Sequence, residues 1–279
     1  NIIDADNDLI DDIFINTEFG VVILSPQKVI EILSPIPRTI FNVSSINVEW
    51  NIFGFSPVEY RVYLNSTLMN TTTSNKVNIQ TISDGHWDIL VEAIPLRGTS
   101  IKNSTIVTVD TTPPEINITF PQNNTYTNNS EITVTWEGHD NTTGILNYTL
   151  YINESRVYEG KDTMHNVSLG YGTNVIKVVA VDLANNTAEK SIIITYDDIP
   201  PEILDINPRN GTYVNSANIT LNWSYIEEFL DHFEVRIDNQ EWIFVGNNSS
   251  CTIENLDYGE HNISIKAVDK AGNTNISTI

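Results

Sequence analysis

Three copies of one short stretch limit what this chain can fold into: INVEW at 46 to 50, ITVTW at 132 to 136 and ITLNW at 219 to 223. In each, the first, third and fifth residues are large and apolar and the two between them are polar, the period of a strand with one buried face. The buried set ends in Trp50, Trp136 and Trp223, spaced by about 87 residues. That interval suits one small all-β domain, so the chain reads as a tandem repeat.

Other residues fall on the same ruler. Tyr60, Tyr148 and Phe233 are followed two places on by Val62, Leu150 and Val235. Ile82, Leu169 and Leu256 precede Gly85, Gly172 and Gly259, and then come Ile89, Ile176 and Ile263 with Ala93, Ala180 and Ala267. Pro35, Pro121 and Pro208 each close an opening strand, where a missing amide costs no ladder bond at a sheet edge. A strand-B Trp, a strand-C aromatic followed by Val or Leu, a Leu-x-x-Gly corner and a strand ending in KAVDKAGN resemble fibronectin type III and bacterial or archaeal Ig-like repeats. The resemblance runs from about residue 29 to the end. It implies an all-β chain of three tandem Ig-like, fibronectin III-like β-sandwiches, 29–110, 111–197 and 198–279, of the kind that serve as spacers, stalks, adhesins or surface-layer modules. The first repeat departs from the pattern, with PLRGTS at 95 to 100 in place of the DxAxN turn. VDTTPPE at 109 to 115 and YDDIPPE at 196 to 202 join the repeats. Paired prolines favour extended geometry, so the joints are expected to be short and semi-rigid and the domains to form a rod.

The leader, 1–28, holds an acidic run and an extra strand. Asp4, Asp6, Asp8, Ile10 (by its carbonyl) and Asp12 fit positions one, three, five, seven and nine of a calcium loop. The run resembles thrombospondin type 3 and dockerin-like loops, whose core reads DxDxDGxxD, but Leu9 replaces the glycine and no Glu stands at position twelve. A solvated acidic tail is the plainer reading.

Further carboxylates gather at the joints. In a seven-stranded sandwich the loop between the last two strands lies at the pole where the chain enters. Asp182, with Asn186, is therefore expected near Asp110 and Glu115, and Asp269, with Asn273, near Asp197, Asp198 and Glu202. Such groups could bind calcium and stiffen the joint, or simply satisfy turn amides. The acidic stretch from Glu227 to Asp231 lies at the same pole, as a solvated loop or an addition to an ion site.

A net charge of -22 with only 14 basic residues leaves no surface able to neutralise a run of phosphates, so nucleic acid and anionic membrane partners are not expected. No apolar run approaches the roughly twenty residues of a membrane span, and no signal peptide opens the chain, which reads as processed or as part of a longer polypeptide. A single Cys251 excludes an internal disulfide framework and alternates with Ile253 like a small buried residue.

Nineteen Asn-x-Ser/Thr acceptor sites stand where roughly six are expected by chance. They are Asn42, Asn65, Asn70, Asn103, Asn117, Asn123, Asn128, Asn141, Asn147, Asn153, Asn166, Asn185, Asn210, Asn218, Asn222, Asn247, Asn248, Asn262 and Asn275. Asn117, Asn147, Asn166, Asn218, Asn222 and Asn262 fall on outward phases of their strands, where a glycan can project. N-linked glycans place the chain outside the cell; an Asn- and Thr-rich solvent face is the alternative.

Catalytic patterns are missing: the five histidines are scattered, and no H-E-x-x-H, G-x-S-x-G or phosphate loop occurs. The sequence is read as non-enzymatic, a structural glycoprotein module of a surface layer, sheath or filament that contacts copies of itself or other surface proteins. The alternative is an adhesin or carbohydrate-binding accessory region of a larger secreted protein or enzyme, with Trp87 and Trp242 as candidate sugar platforms. The last strand stops about four residues short on the ruler, an edge open to more of the same chain or to a neighbour's strand, with residues 13 to 24 as a candidate donor.

Overall fold

A computed structural model describes residues 27–279 together with the backbone of the strands Ile2–Ile3, Asp12–Thr17 and Gly20–Leu24. Every regular element among the described residues is a strand, and no helix is long and apolar enough to cross a membrane. By contact density the chain divides into two compact units, one of residues 1–116, 138–147 and 179–188, the other of residues 117–137, 148–178 and 189–279.

In the first unit the alternation around the first tryptophan does what its period requires. Ile46, Val48 and Trp50 of the strand Ile46–Phe53 are fully buried. That strand lies between Val29–Ser34 and Lys76–Ile79. The facing sheet orders Ile40–Phe41, Ile101–Val109, Gly85–Pro95, Pro57–Leu64 and Thr67–Thr72, and its inward residues Tyr60, Val62, Ile89, Val91 and Ala93 close the core. Trp50 meets Tyr60 edge-on with ring centroids 5.1 Å apart. Fully burying one such aromatic contributes on the order of 2–3 kcal/mol, so the tryptophan and its partner are the anchor of the sandwich.

In the second unit the same arrangement recurs. Leu221 and Trp223 of Ile219–Ile226 pack on Phe233, Val235, Ile265 and Ala267 of the strands Leu230–Ile237 and Ile263–Asp269, with Trp223 and Phe233 5.2 Å apart. The strands between Glu115 and Tyr196 make a three-stranded and a five-stranded sheet, so the three-plus-five pattern of the first repeat is kept. Trp136 again faces an aromatic, Tyr148, at 6.0 Å.

The recurring prolines do more than end a strand. Pro35, Pro121 and Pro208 all follow cis peptide bonds. After the first two, the chain crosses to the other sheet and pairs parallel with its last strand, Ile40–Phe41 on Thr108–Val109 and Thr125–Thr127 on Ile194–Tyr196. Among the described residues the third copy shows no such strand, and Tyr213 and Val214 at that position are exposed.

In the leader Asp12–Thr17 pairs antiparallel with Gly20–Leu24, and Ile2–Ile3 pairs with the former. The segment expected as a strand donor therefore forms a hairpin with itself. Asp4, Asp6, Asp8 and Ile10 lie outside the described residues, and Asp12 is described by its backbone alone.

Candidate functional site

Each joint gathers three carboxylates, and the two sets match position for position. Asp110, Asp140 and Asp182 lie in the first unit; Asp197, Glu227 and Asp269 lie in the second, each 87 residues on. Within each set one oxygen of every residue lies within 4.8 Å of the others.

In the first set Asp182 ends the strand Gly172–Asp182 and builds the turn that follows. Its Oδ1 accepts the amides of Ala184 (2.8 Å) and Asn186 (2.9 Å), and its Oδ2 accepts Asn186 Nδ2 at 2.9 Å. Asn186 Nδ2 also donates to the carbonyl of Asp110 at 2.9 Å, tying the turn to the joint. Asp140 follows the strand Glu131–His139, and its Oδ1 accepts the amides of Thr142 (3.1 Å), Thr143 (2.8 Å) and Gly144 (2.7 Å). The Thr143 hydroxyl donates to Asp110 Oδ2, so the most buried carboxylate has a proton donor of its own. Burial pushes the Asp110 carboxyl up; the Thr143 bond opposes this, and the charges of Asp140 and Asp182 add to it. Burial works upward on Asp140 as well, but the amides of Gly144, Thr143 and Thr142 together outweigh it and hold its carboxyl below the ordinary value.

The second set keeps the turn and loses the donor. Asn273 donates its backbone amide to Asp269 Oδ1 (2.8 Å), and its Nδ2 to Asp269 Oδ2 (2.7 Å) and to the carbonyl of Asp197 (2.7 Å). The loop after the tryptophan strand is two residues shorter here, 227–229 against 140–144, so Thr143 has no counterpart and Leu230 opens its strand as Ile145 does. Asp197 is 1% exposed; its Oδ1 accepts the Ile199 amide at 3.0 Å, and its Oδ2 is shielded from solvent with no hydrogen-bond partner. The Tyr171 phenol feels this charge and is pushed up, by desolvation first, then by the charges of Asp197, Glu227 and Glu228, and last by a hydrogen bond toward Asp197. Burial pushes Glu227 up, the Phe229 amide at 2.7 Å opposes, and the charges of Asp197 and Asp269 push further. Beside the set, Tyr126 packs on Phe229 at 5.7 Å and Lys270 places its ammonium 5.2 Å from the Tyr126 ring.

Of the carboxylates expected at the joints, Asp110, Asp182, Asp197 and Asp269 come together. Glu115, exposed at the head of its strand, and Asp198, exposed beside Tyr196, belong to neither set. Asp140 was not singled out from sequence, and Glu227 only as part of an acidic stretch; their place on the ruler opposite Asp182 and Asp269 is the signal that finds them. The first repeat has Gly54 and Pro95 at the corresponding positions and cannot form a third set.

Trp87 is a packed residue, half-buried against the first core with its Nε1 donating to the Ser83 carbonyl at 2.9 Å. Trp242 has Arg236 4.5 Å and Lys266 5.5 Å from its ring. Both rings are partly exposed. Cys251 is partly buried against the third core, and burial pushes its thiol up. Asn117, Asn166, Asn218, Asn222 and Asn262 are exposed, whereas Asn147 is half-covered with its Oδ1 shielded. Asn103 and Asn275 use Nδ2, the atom a glycan takes, to reach the carbonyls of Ile30 and Pro201.

Residues 114–198 match the family described as glucodextranase, domain B. Bacillopeptidase F of Bacillus subtilis (strain 168) is 27% identical over 174 residues, 60% of this chain; the match spans 12% of that protein's length. Among solved structures, the fibronectin(III)-like modules of Clostridium thermocellum CbhA are 20% identical with a TM-score of 0.39, over 61% of this chain and 94% of theirs. Three N-terminal domains of the bacteriophage RB49 highly immunogenic outer capsid protein are 12% identical with a TM-score of 0.46, over 90% of this chain and 97% of theirs.

Proposed function

We propose that this chain is a non-catalytic, extracellular spacer segment of a larger glycoprotein, a structural module of a surface layer, sheath or filament whose partners are copies of itself or other surface proteins. The observation that carries the reading is the repeated stitch at the joints. Asn186 and Asn273 each tie a hairpin turn to the carbonyl of the residue leaving the preceding repeat, Asp110 and Asp197. A catalytic or ligand-binding chain has no need to conserve that bond between its own copies; a spacer does, because orientation at each joint sets its span. The exposed acceptor asparagines and the excess of acidic side chains support exposure to an aqueous exterior.

Pulsed spin-label distances test the spacer role. With Lys161→Cys and Glu254→Cys labelled in a Cys251→Ala background, a narrow distribution is expected, broadening in Asn273→Ala. A distribution already broad before that change defeats the reading. Glycopeptide mass spectrometry of the native protein tests the second part: bare asparagines throughout remove the glycoprotein.

A second reading, an accessory region of a secreted enzyme, rests on the matches to glucodextranase domain B and to Bacillopeptidase F. Saturable binding on a glycan array, lost in Trp87→Ala or Trp242→Ala, favours it; silence favours the spacer.

A further inference from the structure

We infer that Asp197, Glu227 and Asp269 form a calcium site at the second joint, and that the first joint, built on the same plan, has replaced the ion with a hydroxyl. Among the buried side-chain polar atoms of the described residues that lack a hydrogen-bond partner, one belongs to a carboxylate. Asp197 Oδ2 is out of reach of water and accepts no hydrogen bond, although its residue is 1% exposed. A buried acceptor left unmade costs about 1–3 kcal/mol, more when charged. Here it stands within a set whose other members are also acids, so repulsion adds to desolvation, and on Asp197 itself the Ile199 amide reaches only Oδ1.

The geometry fits one ion. Two oxygens on opposite sides of a calcium ion, each at 2.3–2.6 Å, are about 4.6–5.2 Å apart, and the three carboxylates place oxygens within 4.8 Å of one another. All three are hard oxygen ligands, with no imidazole or thiolate in the set, which selects calcium over zinc or copper. Calcium's tolerance for irregular coordination suits a set in which Asp269 already gives both oxygens to Asn273. Solvent fills the remaining positions, and Glu227, the least buried of the three, marks the side from which it enters.

The first joint is the control that the molecule itself provides. There the equivalent of Asp197 Oδ2 accepts the Thr143 hydroxyl, and Asp140 is held by three backbone amides. The repeat thus meets one need in two ways: by donors at 140–144 and, where the shorter 227–229 loop carries no threonine, by a cation.

Calorimetric titration of the chelator-treated full chain with calcium chloride, followed by terbium luminescence sensitised through Tyr171, tests the proposal. One site is expected, with a dissociation constant of about 10⁻⁴–10⁻³ M as in extracellular modules, weakened at least tenfold in Glu227→Gln and in Asp197→Asn. Asp140→Asn, at the first joint, is expected to leave it unchanged. No saturable heat or luminescence up to 10 mM calcium, at about ten times the weakest expected constant, overturns the site. So does binding that survives Glu227→Gln, or an equal response to magnesium that survives it, since either reports only diffuse attraction to an acidic surface. Circular dichroism of each variant separates loss of the ligand from loss of the fold.

Discussion

The two joints share a backbone plan, three carboxylate positions and an asparagine stitch, yet they solve the same electrostatic problem differently. At the first, a threonine hydroxyl and three amides surround the acids; at the second, a shorter loop brings no hydroxyl, and the amides of Phe229 and Glu228 reach Glu227. The second adds an aromatic clasp, Tyr126 on Phe229 under Lys270, where the first has Ile40, Gly144 and Leu183. A duplicated turn can therefore keep its geometry while the means of neutralising it changes by a few side chains.

The largest test of this contrast removes the turn-building acid from each joint. Asp182→Ala leaves three donors without their acceptor and is expected to cost about 3–5 kcal/mol in urea unfolding. Asp269→Ala loses two such bonds but relieves Glu227 and Asp197 of a like charge, and without calcium should cost about 1–2 kcal/mol. Equal losses would break the comparison. Thr143→Val should cost roughly 1–3 kcal/mol and leave Asp110 Oδ2 as Asp197 Oδ2 now is. Added calcium should then recover part of that loss, and none of it in the parent. Tyr126→Ala removes a ring contact and a cation–π contact, for about 1–2 kcal/mol, measured as a fall in the melting temperature of the second joint's transition; no fall would mean the clasp is idle.

The smallest effects are those of charge, and their signs oppose. Asp140 has its folded value below the ordinary 3.8, so its contribution is present above 3.8 and is lost as pH falls through the lowered value. Glu227 has its folded value above the ordinary 4.5, so the native state binds the extra proton; the penalty is full above the raised value and is relieved as pH falls through it towards 4.5. Without calcium, Asp140→Asn should lower stability at pH 7 and Glu227→Gln should raise it, each by about 1 kcal/mol or less. Melting temperatures across pH check the signs, and shifts of the same sign would contradict the contrast.

Much of the fold was legible in the sequence because burial on one face writes itself as period two. Trp50, Trp136 and Trp223, with the aromatics opposite them, were readable without coordinates, and so were the strands that carry the alanines. The site was half legible. Asp110 with Asp182, and Asp197 with Asp269, follow from which loops share a pole, a rule of topology. Thr143 did not follow, because a hydroxyl that donates across a joint carries no local pattern. The change of sheet after Pro35 and Pro121 was equally silent, since a strand that divides between two edges looks, in one dimension, like a strand that ends. Trp87 and Trp242 lie off the core phase, and the structure adds only their neighbours, the first core for Trp87 and two cations for Trp242.

Amide hydrogen exchange at the two joints, with and without calcium, tests the central contrast most directly. At a calcium concentration ten times the dissociation constant, binding contributes about 1.4 kcal/mol. The amides of Ile199, Phe229 and Asn273 should therefore gain about tenfold protection, while those of Thr143, Ala184 and Asn186 stay as they were. Equal change at both joints, or none at the second, would contradict it.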